Sequence, residues 1–139
     1  MRAFSGLAIA VAAMIWIWAA PAARAADCGD LQTQTEMTIC AGDAFKKTDA
    51  ELNKLYRQIQ ERLTDDADTR RLLVATQRAW VSFRDAECAF RGSAVAGGSA
   101  EPMIVSQCND NLTRLRIEDL KGYLACQEGD LDCPVPAAE

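Results

Sequence analysis

The sequence predicts an all-α protein: a small disulfide-stapled bundle of three main helices plus a short N-terminal helix. Three segments carry apolar residues at steps of three and four, which is typical of amphipathic helices. Six cysteines in a short chain favour a disulfide framework. No segment has the alternating pattern of a strand-rich region.

The N-terminus indicates export. Arg2 precedes an apolar run over residues 6–20, and Ala23-Arg24-Ala25 has the small-x-small pattern of a signal peptidase site. The run is shorter than the roughly 20 apolar residues that span a bilayer. Asp27 stands before Cys28, which does not fit lipid attachment. We expect a signal peptide over residues 1–26, and a periplasmic or secreted protein without a stable membrane anchor after its cleavage.

The mature chain predicts one domain over residues 27–133 and a flexible tail over residues 134–139. Without Arg2 and Arg24 it has 13 basic and 20 acidic side chains, a net charge of −7. Nucleic acids and anionic lipids are recognised through basic surfaces, so neither is an expected partner. A basic protein partner fits this acidic chain.

All the cysteines lie in the mature part, and they are Cys28, Cys40, Cys88, Cys108, Cys126 and Cys133. The chain has no histidine, and no two cysteines have the spacing of two to four residues common in zinc sites. We therefore expect three disulfides, no metal site and no cofactor.

The first helices follow from local patterns. Thr33 and Glu36 have capping-box spacing, which predicts a short helix carrying Met37, Ile39 and Cys40. Gly42 is expected to end it. The second helix is predicted from Ala44 to Leu63, with an apolar face of Phe45, Thr48, Leu52, Leu55, Tyr56, Ile59 and Leu63.

The third helix is predicted from about Asp68 to Arg91. At about 100° per residue, one arc of this helix collects most of its apolar residues. The members of this arc are Leu72, Ala75, Thr76, Ala79, Trp80, Phe83, Ala86 and Phe90. Because this arc is apolar, we expect it to face the core. Arg84 and Cys88 flank the arc.

The last helix is predicted from about Ala100 to Leu124, with Ser99 as its cap and Pro102 in its first turn. A flexible, almost uncharged loop over residues 92–101 precedes it. The residues expected in the structural core of the bundle are Leu52, Tyr56, Trp80, Phe83 and Leu112.

The disulfide pairing is predicted only in part. Gly129 and Asp130 lie midway between Cys126 and Cys133, which favours a bridge closing that small loop. Antiparallel second and third helices favour Cys40–Cys88 with Cys28–Cys108. Antiparallel third and last helices favour Cys88–Cys108 with Cys28–Cys40. Helix geometry alone does not choose between these two patterns.

Several motifs carry a family resemblance. They are TQTEMTICA, DAELNKLY, QRAWVSFRDAEC, GGSAEPM and CNDNLTRLRIEDLKGYL, in this order. In these motifs the chain resembles the DUF1311 family, whose domain is named the LprI-type lysozyme inhibitor N-terminal domain. The resemblance covers residues 27 to about 133 and implies a secreted, helical, disulfide-stapled domain, some of whose relatives inhibit lysozyme. It provides no catalytic residues.

The residues indicate binding and not catalysis. Without histidine, the usual Ser/His and Cys/His activations are absent, and Cys88 is expected to be bridged. We expect no enzyme activity, but a lysozyme inhibitor-like protein that docks an acidic helical surface and the interhelical loop on a basic muramidase. The candidate partner-binding residues are Arg84, Gly97, Gly98, Ser99 and Glu101. The alternative is a periplasmic adaptor or structural binding module for another envelope protein.

Overall fold

The computed structural model describes residues 28–138, which are mostly helical. After a 3₁₀ turn at Cys28–Asp30 come α1 (Gln34–Arg62), α2 (Ala67–Gly92), a 3₁₀ turn at Ser93–Val95, and α3 (Glu101–Leu124). No strand occurs between residues 28 and 138. The predicted all-α class is confirmed, and the expected signal peptide lies outside the described residues.

Helix α1 begins at the predicted capping box. The Thr33 hydroxyl accepts from the Glu36 amide at 3.2 Å, and the Glu36 carboxylate accepts from the Thr33 amide at 3.1 Å. The helix then runs through Gly42 without a break, so the two helices expected on either side of Gly42 are one. A glycine inside a helix costs only about 1 kcal/mol relative to alanine. The burial of Ala41 and Thr48 on either side of it outweighs that cost.

The other two helices begin differently from each other. Asp66 caps α2, and its carboxylate accepts from the Thr69 amide at 2.9 Å. This hydrogen bond lowers the pKa of Asp66 below its ordinary value. Helix α3 has Ala100 as its N-cap without a side-chain hydrogen bond, so the expected Ser99 cap is not formed. Pro102 lies in the first turn, where it removes no helical hydrogen bond.

Helix α3 is the central element of the bundle. It packs most closely against α1 and also against α2, while the backbones of α1 and α2 approach each other less closely. Lys121 of α3 donates to Glu118 at 3.0 Å and to Glu51 of α1 at 3.3 Å, and these contacts raise the pKa of its ammonium group. The buried core consists of Leu52, Ile59, Leu63, Ile117, Leu120, Cys126 and Val135.

The C-terminal residues pack against this core. Val135 is only 4% exposed. Arg62 donates to the carbonyls of Leu124 at 2.8 Å and Pro136 at 3.3 Å, which holds the tail beside the end of α1. The packed domain therefore extends past the expected boundary at Cys133 into the segment expected to be a flexible tail.

The three disulfides join Cys28 to Cys40, Cys88 to Cys108, and Cys126 to Cys133. The structure therefore has the second of the two pairing patterns left open above. Two bridges lie where α1 begins, α2 ends and α3 begins, which we call the loop end. The third lies at the opposite end, after α3.

Helix α2 is rotated relative to the sequence-based expectation. Phe83 was expected in the core, but it is 55% exposed, and Leu72 and Phe90 are 61% and 74% exposed. Leu52 is fully buried, and three other expected core residues, Tyr56, Trp80 and Leu112, are half-buried. The buried positions of α2 are Gln77, Arg84, Cys88 and Gly92.

The bridge between Cys88 and Cys108 explains this rotation. It requires the side of α2 that carries Cys88 to face α3. Arg84 and Gln77 precede Cys88 by 4 and 11 residues, so they lie on the same side of the helix. Most of the apolar arc, on the other side, is left facing outward, whereas Trp80 at its edge packs against the core.

Candidate functional site

The interhelical loop, residues 93–100, has a defined shape. The amide of Gly98 donates to the carbonyl of Val95 at 3.0 Å, and the amide of Glu101 donates to the carbonyl of Gly98 at 3.2 Å. The Glu101 carboxylate accepts from the amide of Gly97 at 2.6 Å. Gly97 has a φ of 74°, in the left-handed region that glycine adopts without a steric penalty. The loop is therefore held by its own hydrogen bonds.

The frame behind this loop is rigid and close-packed. The Cys88–Cys108 bridge joins α2 to α3 with 5.5 Å between the two Cα atoms. Gly92, at the end of α2, lies so close to α3 that a Cβ atom there would stand 2.8 Å from Val105 Cγ2. Both features fix where the chain leaves α2 and where it enters α3.

Four of the five predicted site residues come together at the loop end. Gly97, Gly98 and Ser99 are exposed, and Glu101 lies beside them. The Glu101 carboxylate is directed to the Gly97 amide, so it shapes the loop. Phe90, at the end of α2, adds a large exposed apolar side chain next to the same loop.

Arg84 does not belong to this surface, which corrects its expected role in partner binding. It is 8% exposed, and its guanidinium carbon lies 5.1 Å from the centre of the Phe45 ring and 5.2 Å from that of Trp80. Its nitrogens donate to Asp49 at 3.1 Å and to Asp85 at 2.9 Å. Arg84 therefore joins α1 to α2 inside the bundle.

A second exposed tip lies at the opposite end of the molecule, and sequence reasoning did not single it out. Within the loop closed by Cys126 and Cys133, Leu131 is 103% exposed. Three exposed carboxylates surround it in the sequence, at Glu128, Asp130 and Asp132. The run EGDLD inside a short disulfide loop was the available indication of an acidic tip.

Two further properties concern the described residues alone. Over residues 28–138, no three potential metal-binding side chains come together. In the same part of the chain, no helix has both the length and the apolar character needed to cross a membrane.

Comparisons with known proteins agree with the resemblance seen in the motifs. The family described as lysozyme inhibitor LprI matches residues 25–120. A protein of Rhizobium meliloti (strain 1021), described as uncharacterized, is 37% identical over 113 residues, which cover 73% of this chain and 81% of that protein. No solved structure matches the chain.

Proposed function

The chain belongs to the LprI lysozyme inhibitor family, and from this premise we propose that it is an exported, non-enzymatic protein that inhibits a basic lysozyme by docking on it. The family match supports an inhibitor-like role. The docking surface that we propose is the loop end, with Gly97, Gly98 and Ser99 at its tip.

The observation that carries this proposal is the fixed shape of the loop. A segment that enters a cleft binds more tightly when it loses little conformational entropy on binding. The hydrogen bond from Gly97 to Glu101 and the bridge behind the loop provide this order before any partner arrives. The tip carries small, uncharged side chains, which suit a narrow groove.

The charge of the mature chain supports the same partner class. Lysozymes of the animal type are basic and have a carboxylate-lined cleft. A protein of net charge −7 is steered toward a basic surface, which raises the rate of association at low salt. The three helices carry 13 basic and 12 acidic side chains, so in this proposal the acidic residues outside the helices supply the attraction. The uncharged loop tip avoids repulsion by the carboxylates of the cleft.

The test is a cell-wall lysis assay with the oxidised, exported protein and an animal-type lysozyme. We expect micromolar protein to slow lysis in proportion to its concentration. Unchanged lysis would contradict the proposal and leave the alternative of an adaptor for another envelope protein, which a pull-down from envelope extract would then examine.

Three variants with the same added charge identify the surface. Ser99→Arg places the charge at the loop tip, Leu131→Arg places it at the acidic tip, and Ala50→Arg places it on the exposed face of α1. We expect Ser99→Arg to weaken inhibition at least tenfold and the other two to leave it nearly unchanged. A larger loss with Leu131→Arg would move the docking surface to the opposite end.

A further inference from the structure

An exposed apolar seam runs along α2. Its members alternate at steps of four and three residues over five helical turns, and they are Leu72, Thr76, Ala79, Phe83, Ala86 and Phe90. All six are exposed, and three carry large apolar surfaces, with Leu72 61%, Phe83 55% and Phe90 74% exposed. This spacing is that of the contact positions in paired helices. No described segment of the chain covers the seam.

The seam is symmetric about Val81. Leu72 and Phe90 lie equally far from Val81, as do Thr76 and Ala86, and as do Ala79 and Phe83. When two copies of α2 pair antiparallel about this point, each Phe83 meets the partner's Ala79, a large side chain against a small one. A two-fold interface requires such self-complementarity.

The neighbouring positions allow close approach. One flank of the seam carries Ala75, Ser82 and Ala89, all exposed and small, while the other flank carries the half-buried Leu73, Trp80 and Glu87. In an antiparallel pair the flank of small residues meets the same flank of the partner. Farther out on that side lie Arg78 and Asp85, and in the antiparallel pair Arg78 of one copy comes near the level of Asp85 of the other. The six seam residues themselves carry no charge.

We propose that this seam binds a second copy of the same chain, forming an antiparallel two-fold dimer through α2. Each copy would bury about 600 Å² of surface, given the exposed fractions of these side chains. About 1,200 Å² in total lies at the lower end of specific interfaces, so the dimer forms reversibly. The two loop ends then lie at opposite ends of the dimer.

The test uses protein expressed with its own leader, recovered from the exported fraction, and checked by mass for its N-terminus. Sedimentation equilibrium from 1 to 500 μM is expected to show a monomer–dimer equilibrium. We expect Phe83→Gln to weaken dimerisation at least tenfold, because Phe83 lies near the centre of the seam. Leu131→Gln is the matched control, and we expect it to change nothing.

Variants with a single added cysteine report the relative orientation of the two α2 helices in the dimer. In the antiparallel pair, the two copies of position 82 are offset by about 3 Å along the helix axes, whereas those of position 75 are offset by about 18 Å. The two added thiols at position 82 lie too far apart across the pair for a direct disulfide, so a short bismaleimide crosslinker is used. We expect it to join two copies of Ser82→Cys and not two copies of Ala75→Cys. Equal crosslinking at both positions, or a monomer at every concentration, would overturn the proposal. So would a wild-type equilibrium that Phe83→Gln leaves unchanged.

Discussion

Arg84 of α2 donates to the carboxylate of Asp49 on α1 at 3.1 Å, across two helices whose backbones do not pack closely. The guanidinium also lies over the ring of Phe45 and over that of Trp80. Side-chain contacts of this kind, and not close backbone packing, connect α1 to α2.

Replacing Arg84 by methionine removes the charge and keeps part of the apolar stem. We expect a loss of about 1–3 kcal/mol in the free energy of unfolding, from the two ring contacts and the hydrogen bonds. The loss stays below that of breaking a fully buried pair, because Asp49 and Asp85 are 38% and 58% exposed. Urea unfolding of the oxidised protein measures it, and the exposed Arg57→Met serves as control. Equal stability of both variants would contradict a structural role for Arg84.

Replacing each of two glycines by alanine is expected to change the stability of the protein in opposite directions. At Gly42 an added Cβ meets nothing within 4 Å, so we expect Gly42→Ala to stabilise the protein by about 0.5–1 kcal/mol through helix propensity. At Gly92 the added Cβ would stand 2.8 Å from Val105 Cγ2. We expect Gly92→Ala to destabilise it by about 1–3 kcal/mol through overpacking. Thermal unfolding of both variants checks this, and a stabilised Gly92→Ala would refute the close approach of α2 to α3.

The cap at Asp66 gives a pH-dependent prediction. The amide of Thr69 lowers the pKa of Asp66 in the folded protein, so folding favours the carboxylate form. This contribution to stability is present above the unfolded value of 3.8 and is lost as the pH falls through the lower folded value. We expect the wild type to be more stable than Asp66→Asn at pH 7, with the difference shrinking as the pH falls below 3.8. A difference in urea midpoint that stays constant from pH 7 to pH 2 would contradict it.

The disulfides are expected to contribute unequally. In the chain-entropy account, a bridge across 20 residues adds about 3 kcal/mol and one across 7 residues about 2 kcal/mol. We therefore expect the pair Cys88→Ala and Cys108→Ala to cost more stability than the pair Cys126→Ala and Cys133→Ala. Urea unfolding gives the comparison, and non-reducing peptide mapping of the wild type checks the pairing. A peptide joining Cys40 to Cys88 would refute the arrangement of helices described above.

Features that depend on neighbours in sequence were predicted well. The capping box at Thr33 and the three long helices follow from short patterns, and the Cys126–Cys133 bridge closes a loop of the kind its spacing suggests. The prediction of a helix end at Gly42 was wrong, because α1 packs along α3 and this contact cannot be seen in the local sequence.

The rotation of α2 could not be read from apolar spacing alone. Helix α2 can turn either the seam or the side that carries Cys88 toward the core, but not both. Which side is buried depends on the cysteine with which Cys88 forms its disulfide. The apolar arc indicated the core face, so Phe83 was expected inside and Arg84 on the flank of that face. The composition of the loop predicted an exposed segment, but its hydrogen bond from Gly97 to Glu101 required the folded geometry.

The most direct test of the proposed inhibition is competition at the lysozyme cleft. The binding of the oxidised protein to an animal-type lysozyme is titrated with and without a chitin trisaccharide that fills the cleft. If the loop end enters the cleft, the apparent Kd rises in proportion to the trisaccharide concentration, and Ser99→Arg weakens binding while Ala50→Arg does not. Binding that the trisaccharide leaves unchanged, or no binding at micromolar concentrations, would contradict the account.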